Sequence, residues 1–214
     1  MHLFFIILLY TADIISKAAN LIFFTGIRSK KNYIYNMKLA ESENVDGRGY
    51  IGNQHRLSKF RYGLCPFDFN GCGAAAVYNI LYYHKKTASF VKTVYRLEKT
   101  VFFAGLLGSS PIGMKRFLEK SGFTVKFVFA KKKILNEELD GSCLIHFFFR
   151  KDFSAHYVAG LPHKNTGHFY FNGSVPCNTP FNAGEYLSVT EEKNRESKHP
   201  VAFHCMLIVD RKNK

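Results

Sequence analysis

The sequence predicts an α+β fold in which helices come first and an antiparallel sheet follows. Apolar residues recur at three- and four-residue spacing from Cys72 to about Gly122; the period then drops to two in a series of short segments ending at Val209. Composition agrees: 214 residues, 47% apolar and 21% charged, suit a packed domain with an appendage rather than a disordered chain.

The appendage comes first. Residues 1–27, "MHLFFIILLYTADIISKAANLIFFTGI", carry only Asp13, Lys17 and Asn20 as strongly polar residues, and the pattern predicts a hydrophobic helix. Asp13 and Lys17 are four apart and could pair on one helix face. No Lys or Arg precedes the helix, whereas Arg28-Ser29-Lys30-Lys31 follows it. That asymmetry does not match a cleaved secretory signal and favours a membrane anchor with the following domain facing the cytoplasm. A helix lying on the membrane, a signal for secretion and a buried helix are the alternatives. Residues 28–60 are polar, contain Gly47, Gly49 and Gly52, show no sustained period, and are expected to form a linker to a domain over 61–214.

Within that domain, "RYGLCPFDFNG" reads as a loop and Cys72 to about Lys86 as a helix, with His84-Lys85-Lys86 at its C-terminal end. A second helix is expected over Ser89–Thr100, and a third in "SPIGMKRFLEKSGF", started by Ser110-Pro111 and stopped by Gly122. Five strands should follow, at 124–130, 141–149, 155–161, 167–173 and 201–209. The third and fourth are joined by "PHKNTG", a hairpin loop.

The chain has a formal net charge of +14, with basic residues at Arg28–Lys31, Lys85–Lys86, Lys131–Lys133 and Arg211–Lys214. These are scattered and belong to no nucleic-acid-binding motif, so a solvated basic surface is expected and nucleic acid is not. Five cysteines (Cys65, Cys72, Cys143, Cys177, Cys205) form no CxxC pair, and the histidine pairs 163/168 and 199/204 are five apart, so neither a metal nor a cofactor is expected.

Chemistry concentrates in "NGCGAAAVYNIL", residues 70–81. Cys72 opens a helix, where partial positive charge favours a thiolate, and its own N–H could serve an oxyanion. The glycines on either side would let a substrate approach closely. His156, at the start of a strand in "SAHYVAG", is the candidate base. A hairpin centred at 164 would set Asn172 opposite His156, where an amide could fix the imidazole tautomer.

Together "NGCGAAAVYNIL", "SPIGMKRFLEKSGFTVKF", "GSCLIHFFF", "HYVAG" and "HFYFNGS" resemble the papain-like cysteine peptidases of the bacteriocin-processing type, which remove double-glycine leader peptides. The resemblance spans roughly residues 60–175 and implies Cys72 as nucleophile, His156 as general base and Asn172 where that group usually has Asp. It also implies a papain-like fold and a peptide or acyl substrate. The family's oxyanion glutamine, six residues before the nucleophile, is Pro66 here; Asn70 is the expected substitute, and the single glutamine, Gln54, lies eighteen residues upstream. Cleavage of a peptide or amide bond is the leading expectation. Acyl transfer on the same fold and an inactive binding module at the membrane are the alternatives.

Overall fold

The computed structural model describes all residues except 1, 24, 44, 46–48, 86–88, 130–138, 140, 153, 165–166, 174–179 and 213–214. Cys177 and the Lys131–Lys133 run lie outside the described residues. The chain divides into two compact units, Met1–Phe117 and Leu118–Lys214.

The first unit opens with α1 (His2–Ile22) and α2 (Thr25–Glu43). Residues 28–43, expected as linker, are therefore helical. The segment escapes an apolar-periodicity reading because its inward side is polar: Ser29 and Asn36 are buried, while Ile27, Ile34 and Tyr35 are exposed. Asn36 is fixed by a pair of hydrogen bonds, donating to Arg61 O at 2.8 Å and accepting from Arg61 N at 2.9 Å.

A two-residue ribbon, β1 (Arg61–Tyr62) with β2 (Cys65–Pro66), turns at Gly63, which has φ +63°. Only glycine serves there, since a Cβ would lie 2.3 Å from Ala104 O. A single turn, α3 (Phe67–Asn70), leads into α4 (Cys72–Tyr83), and α5 (Phe90–Leu97) follows, shorter than expected and continued by a 3₁₀ turn at Glu98–Thr100. Every residue of α4 from Cys72 to Leu81 is buried, so this is the central helix of the unit. Phe90 joins the surrounding aromatics, with ring centroids 5.4 Å from Phe60, 5.1 Å from Phe67 and 5.6 Å from Tyr78. The last helix, α6 (Pro111–Lys120), runs across the boundary between the units.

The second unit is a five-stranded antiparallel sheet of order β3-β7-β4-β5-β6, formed by Phe123–Phe129, Val201–Arg211, Cys143–Arg150, Ala155–Pro162 and His168–Phe171. All five strands expected from the alternating pattern are present. Between β6 and β7 runs α7 (Ala183–Glu196), a helix with no counterpart in the expectations. It begins with a reciprocal cap in which Glu185 N donates to Asn182 Oδ1 at 2.9 Å and Asn182 N to Glu185 Oε2 at 3.1 Å. Tyr186 and Leu187 on α7 pack with Leu144, Phe148, Val158 and Tyr170 of the sheet, and the Tyr170 and Tyr186 rings stack at 3.6 Å. Mixed helices and an antiparallel sheet, helices first, give the α+β architecture expected.

Candidate active site

Cys72 is the first residue of α4 and is buried. The turn α3 runs into it through Gly71, whose N–H donates to Phe67 O at 2.7 Å. Both flanking glycines are explained by packing. A Cβ on Gly71 would fall 2.4 Å from Phe67 O, and one on Gly73 would fall 2.5 Å from Ser109 Oγ. These glycines thus let α3, α4 and the Ser109 segment close up. Ser109 Oγ in turn shares a 2.7 Å hydrogen bond with Tyr62 OH, whose pKa burial pushes far up, keeping that hydroxyl neutral.

Asn70 is committed elsewhere. Its Nδ2 donates to Gly105 O at 2.5 Å and to Leu106 O at 3.0 Å, fastening the loop after the 3₁₀ turn at Phe102–Gly105. With both amide hydrogens on carbonyls, Asn70 has no donor left for an oxyanion, and that expectation is corrected. The amide that does approach the cysteine segment from outside is Gln54. The 3₁₀ turn Gln54–Leu57 is capped by Asn53 and buries Gln54, whose Nε2 donates to Asp68 O at 2.6 Å, four residues before Cys72. Distance in sequence concealed this juxtaposition; the uniqueness of the glutamine was the available signal.

In the second unit His156 and Asn172 meet, though by a different route from the one expected. The β5–β6 register pairs Ala159 with Phe171 and Pro162 with His168, so the hairpin is centred at residue 165 rather than 164, and His156 and Asn172 are two residues out of register. Its loop is closed by His163 N donating to Gly167 O at 2.9 Å, with Gly167 at φ +111°. Asn172 comes just after β6, buried, at φ +65°, a left-handed conformation that Asn tolerates better than other side-chain-bearing residues. There its backbone carbonyl, not a cross-strand amide, lies 2.5 Å from His156 Nε2. A carbonyl can only accept, so Nε2 carries the hydrogen and Nδ1 is the basic nitrogen of the neutral ring. Gly173 allows this bend to lie flat, since a Cβ there would come within 2.5 Å of Tyr186 OH.

The sheet holds a second set of histidines. His146 Nδ1 and His204 Nε2 are 3.1 Å apart, and His168 Nε2 donates to Ser142 O at 2.9 Å. Burial, followed by the neighbouring His204 and His168, depresses the His146 pKa, which keeps this fully buried ring neutral. Among the described residues no group of three or more His, Cys, Asp or Glu could hold a metal ion.

No protein-family model matches the chain, and no curated protein matches it. Solved structures similar to it include a double-glycine-motif protease from an AMS/PCAT transporter in complex with the leader peptide, 16% identical, TM-score 0.43, covering 66% of this chain and 84% of that one. The peptidase domain of Streptococcus ComA, a bifunctional ABC transporter of a quorum-sensing pathway, is 16% identical with TM-score 0.42, covering 71% of this chain and 100% of that one. The Pseudomonas avirulence protein AvrPphB is 12% identical with TM-score 0.32, covering 65% and 70%.

Proposed function

We propose that this chain is a cysteine peptidase or amidase of the papain-like, double-glycine-peptidase type, with Cys72 as nucleophile and His156 as base. The observation that carries the reading is the Nε2–H of His156 donating to Asn172 O at 2.5 Å, which leaves Nδ1 as the proton acceptor. In the reaction, Nδ1 takes the thiol proton of Cys72 and the sulfur adds to the substrate carbonyl carbon. Collapse of the tetrahedral adduct breaks the C–N bond, and the amine leaves with the proton from the imidazolium. Water, deprotonated by Nδ1, then hydrolyses the thioester and restores the thiol.

The oxyanion would be met by the N–H of Cys72 and by the amide of Gln54 in place of Asn70. A peptide substrate follows from the motif resemblance. Acyl transfer would use the same first half-reaction with an amine replacing water, and product analysis separates the two.

The test is the pH dependence of iodoacetamide alkylation at Cys72, followed by peptide mass spectrometry because the chain has five cysteines. Rapid alkylation below pH 7 that disappears in His156→Ala supports the pair. A profile with an ordinary thiol midpoint near ~8.5 in both proteins overturns it. That outcome would favour an inactive peptide-binding module, a reading that Pro66 at the usual glutamine position supports.

A further inference from the structure

Helix α1 is amphipathic the wrong way round for a helix packed on a protein. Its polar side is the attached one. Asp13, 6% exposed, accepts from Ser110 Oγ at 2.8 Å and pairs with Arg116 Nη1 at 3.0 Å as well as with Lys17 at 3.1 Å. One turn on, Ser16 Oγ donates to Val101 O at 3.1 Å and accepts from Phe103 N at 2.8 Å. Asn20 repeats the pattern, donating to Val101 O at 2.8 Å and accepting from Ala104 N at 2.7 Å. All these partners belong to the first unit.

The opposite side is apolar and open. Phe4 is 64% exposed, Ile7 55%, Ile14 66%, Ile15 53%, Leu21 79% and Ile22 72%. At about 100° per residue these positions share one side of the helix, away from Asp13, Ser16 and Asn20. A row of exposed large apolar side chains along one side of a helix, interrupted only by Thr11, marks a binding face. Lys17, on the edge of that side, is exposed, and Lys30 and Lys31 on α2 are exposed as well. The whole chain carries a formal charge of +14. An exposed apolar stripe bordered by Lys17, on a chain of this net charge, is complementary to an anionic lipid surface.

We infer that α1 lies in the plane of an anionic bilayer surface, its Phe4–Ile22 apolar stripe among the acyl chains and its Asp13–Ser16–Asn20 stripe bonded to the protein's own body. It is a surface anchor and not a span. Crossing the bilayer would require those three polar side chains to leave Val101, Phe103, Ala104, Ser110 and Arg116 and enter hydrocarbon. Among the described residues no single helix is long and apolar enough to cross a membrane, whereas α1 and α2 taken together, bent by 76°, pass by length and composition alone.

The chain contains no tryptophan, so single-tryptophan variants report cleanly. Ile7→Trp, Ile14→Trp and Leu21→Trp, made one at a time in the full chain, are mixed with phosphatidylcholine/phosphatidylglycerol vesicles containing lipids brominated at different depths. The expected result is quenching at one shared shallow depth for all three, with flotation on these vesicles and about 100-fold weaker partitioning for Ile7→Glu/Ile14→Glu/Leu21→Glu. Thermal unfolding of that triple variant should match the wild type, since the substituted residues point away from the body. A depth that runs progressively from one end of α1 to the other means a span and overturns the proposal. So does flotation of the triple variant equal to wild type, or absence of wild-type flotation. A wild-type dimer in sedimentation velocity without lipid that the triple variant converts to monomer identifies a second copy as the occupant, and overturns it too.

Discussion

At the residue scale the roles of Asn172, Gln54 and Asn70 separate cleanly by substitution. Asn172 is held at φ +65° and offers its carbonyl to His156, so its side chain is wanted for the backbone it tolerates. Asn172→Gly, which keeps both carbonyl and left-handed backbone, should retain turnover to within about threefold. Asn172→Ala should lower stability by about 1 kcal/mol through the steric cost of that conformation. Turnover and urea unfolding of the two variants check this; a hundredfold loss in both would instead assign the orienting role to the amide. Gln54→Ala should cut turnover by about 10²–10³, the usual effect of removing an oxyanion donor, with little change in KM. Asn70→Ala should instead destabilise the fold by about 1 kcal/mol, since it removes the donor to the exposed Leu106 O and leaves Gly105 O with Gly108 N–H alone. That Cys72 opens a helix, His156 lies at the start of a strand and Asn172 just past the end of the next was legible, because each sits in a local pattern. Which atom of Asn172 is used was not, because a five-residue loop closed by Gly167 shifts the hairpin register, and loop geometry of that kind is invisible to alternation.

At the scale of elements, α1 and α2 matter most, because what reads as anchor and linker is bonded into the unit that carries Cys72. Ser16 and Asn20 hold Phe103 and Ala104, both at positive φ, by their N–H groups. Ala104 O accepts from Leu64 N at 3.0 Å, and Gly105 O accepts from Asn70 two residues before Cys72. These hydrogen bonds thus link α1, through residues 103–105, to the loop that precedes Cys72. Asn20→Ala, which removes two of these bonds at once, should cost about 1–3 kcal/mol in denaturant unfolding. The same set of bonds predicts that a chain beginning at residue 61 fails to fold to a state with a single Cys72 alkylation rate, whereas a free-standing domain over 61–214 would show one. Helices α4, α5 and α6 and all five strands were legible because their buried faces are apolar. Helices α1 and α2 invert that relation, so apolar periodicity finds their outer side; α2 was missed for this reason. Helix α7 was missed although Asn182 and Glu185 spelled its start, because its run of Glu, Lys and Asn residues shows little apolar repeat.

At the scale of the whole molecule, each unit encloses a titratable group whose burial opposes its charge, and the two act in opposite directions of pH. In the first unit Glu98 is 1% exposed and accepts through Oε1 from Asn32 Nδ2 at 2.6 Å and from Gly63 N at 2.5 Å. Burial nevertheless raises its pKa to about 7 from an ordinary 4.5. The folded state therefore holds a proton that the unfolded chain has lost between those values. Its contribution is complete below 4.5 and is lost as pH rises through 7, on the order of 3 kcal/mol. In the second unit the depressed pKa of His146 means the unfolded chain takes up a proton that the folded one refuses. Stability there falls as pH drops below the ordinary 6.5. Hydrogen exchange followed by mass spectrometry, peptide by peptide, should accordingly show residues 1–117 opening more readily at pH 8 than at pH 5, and residues 118–214 the reverse. Glu98→Gln keeps an acceptor at Oε1 without the charge and should flatten the alkaline limb in the first unit alone. His146→Phe fits a site already lined by the Phe148, Tyr170 and Tyr186 rings and should flatten the acid limb in the second unit alone. If either substitution moved both limbs together, the units would be unfolding as one cooperative body, and the pH dependence could not be assigned to either buried group.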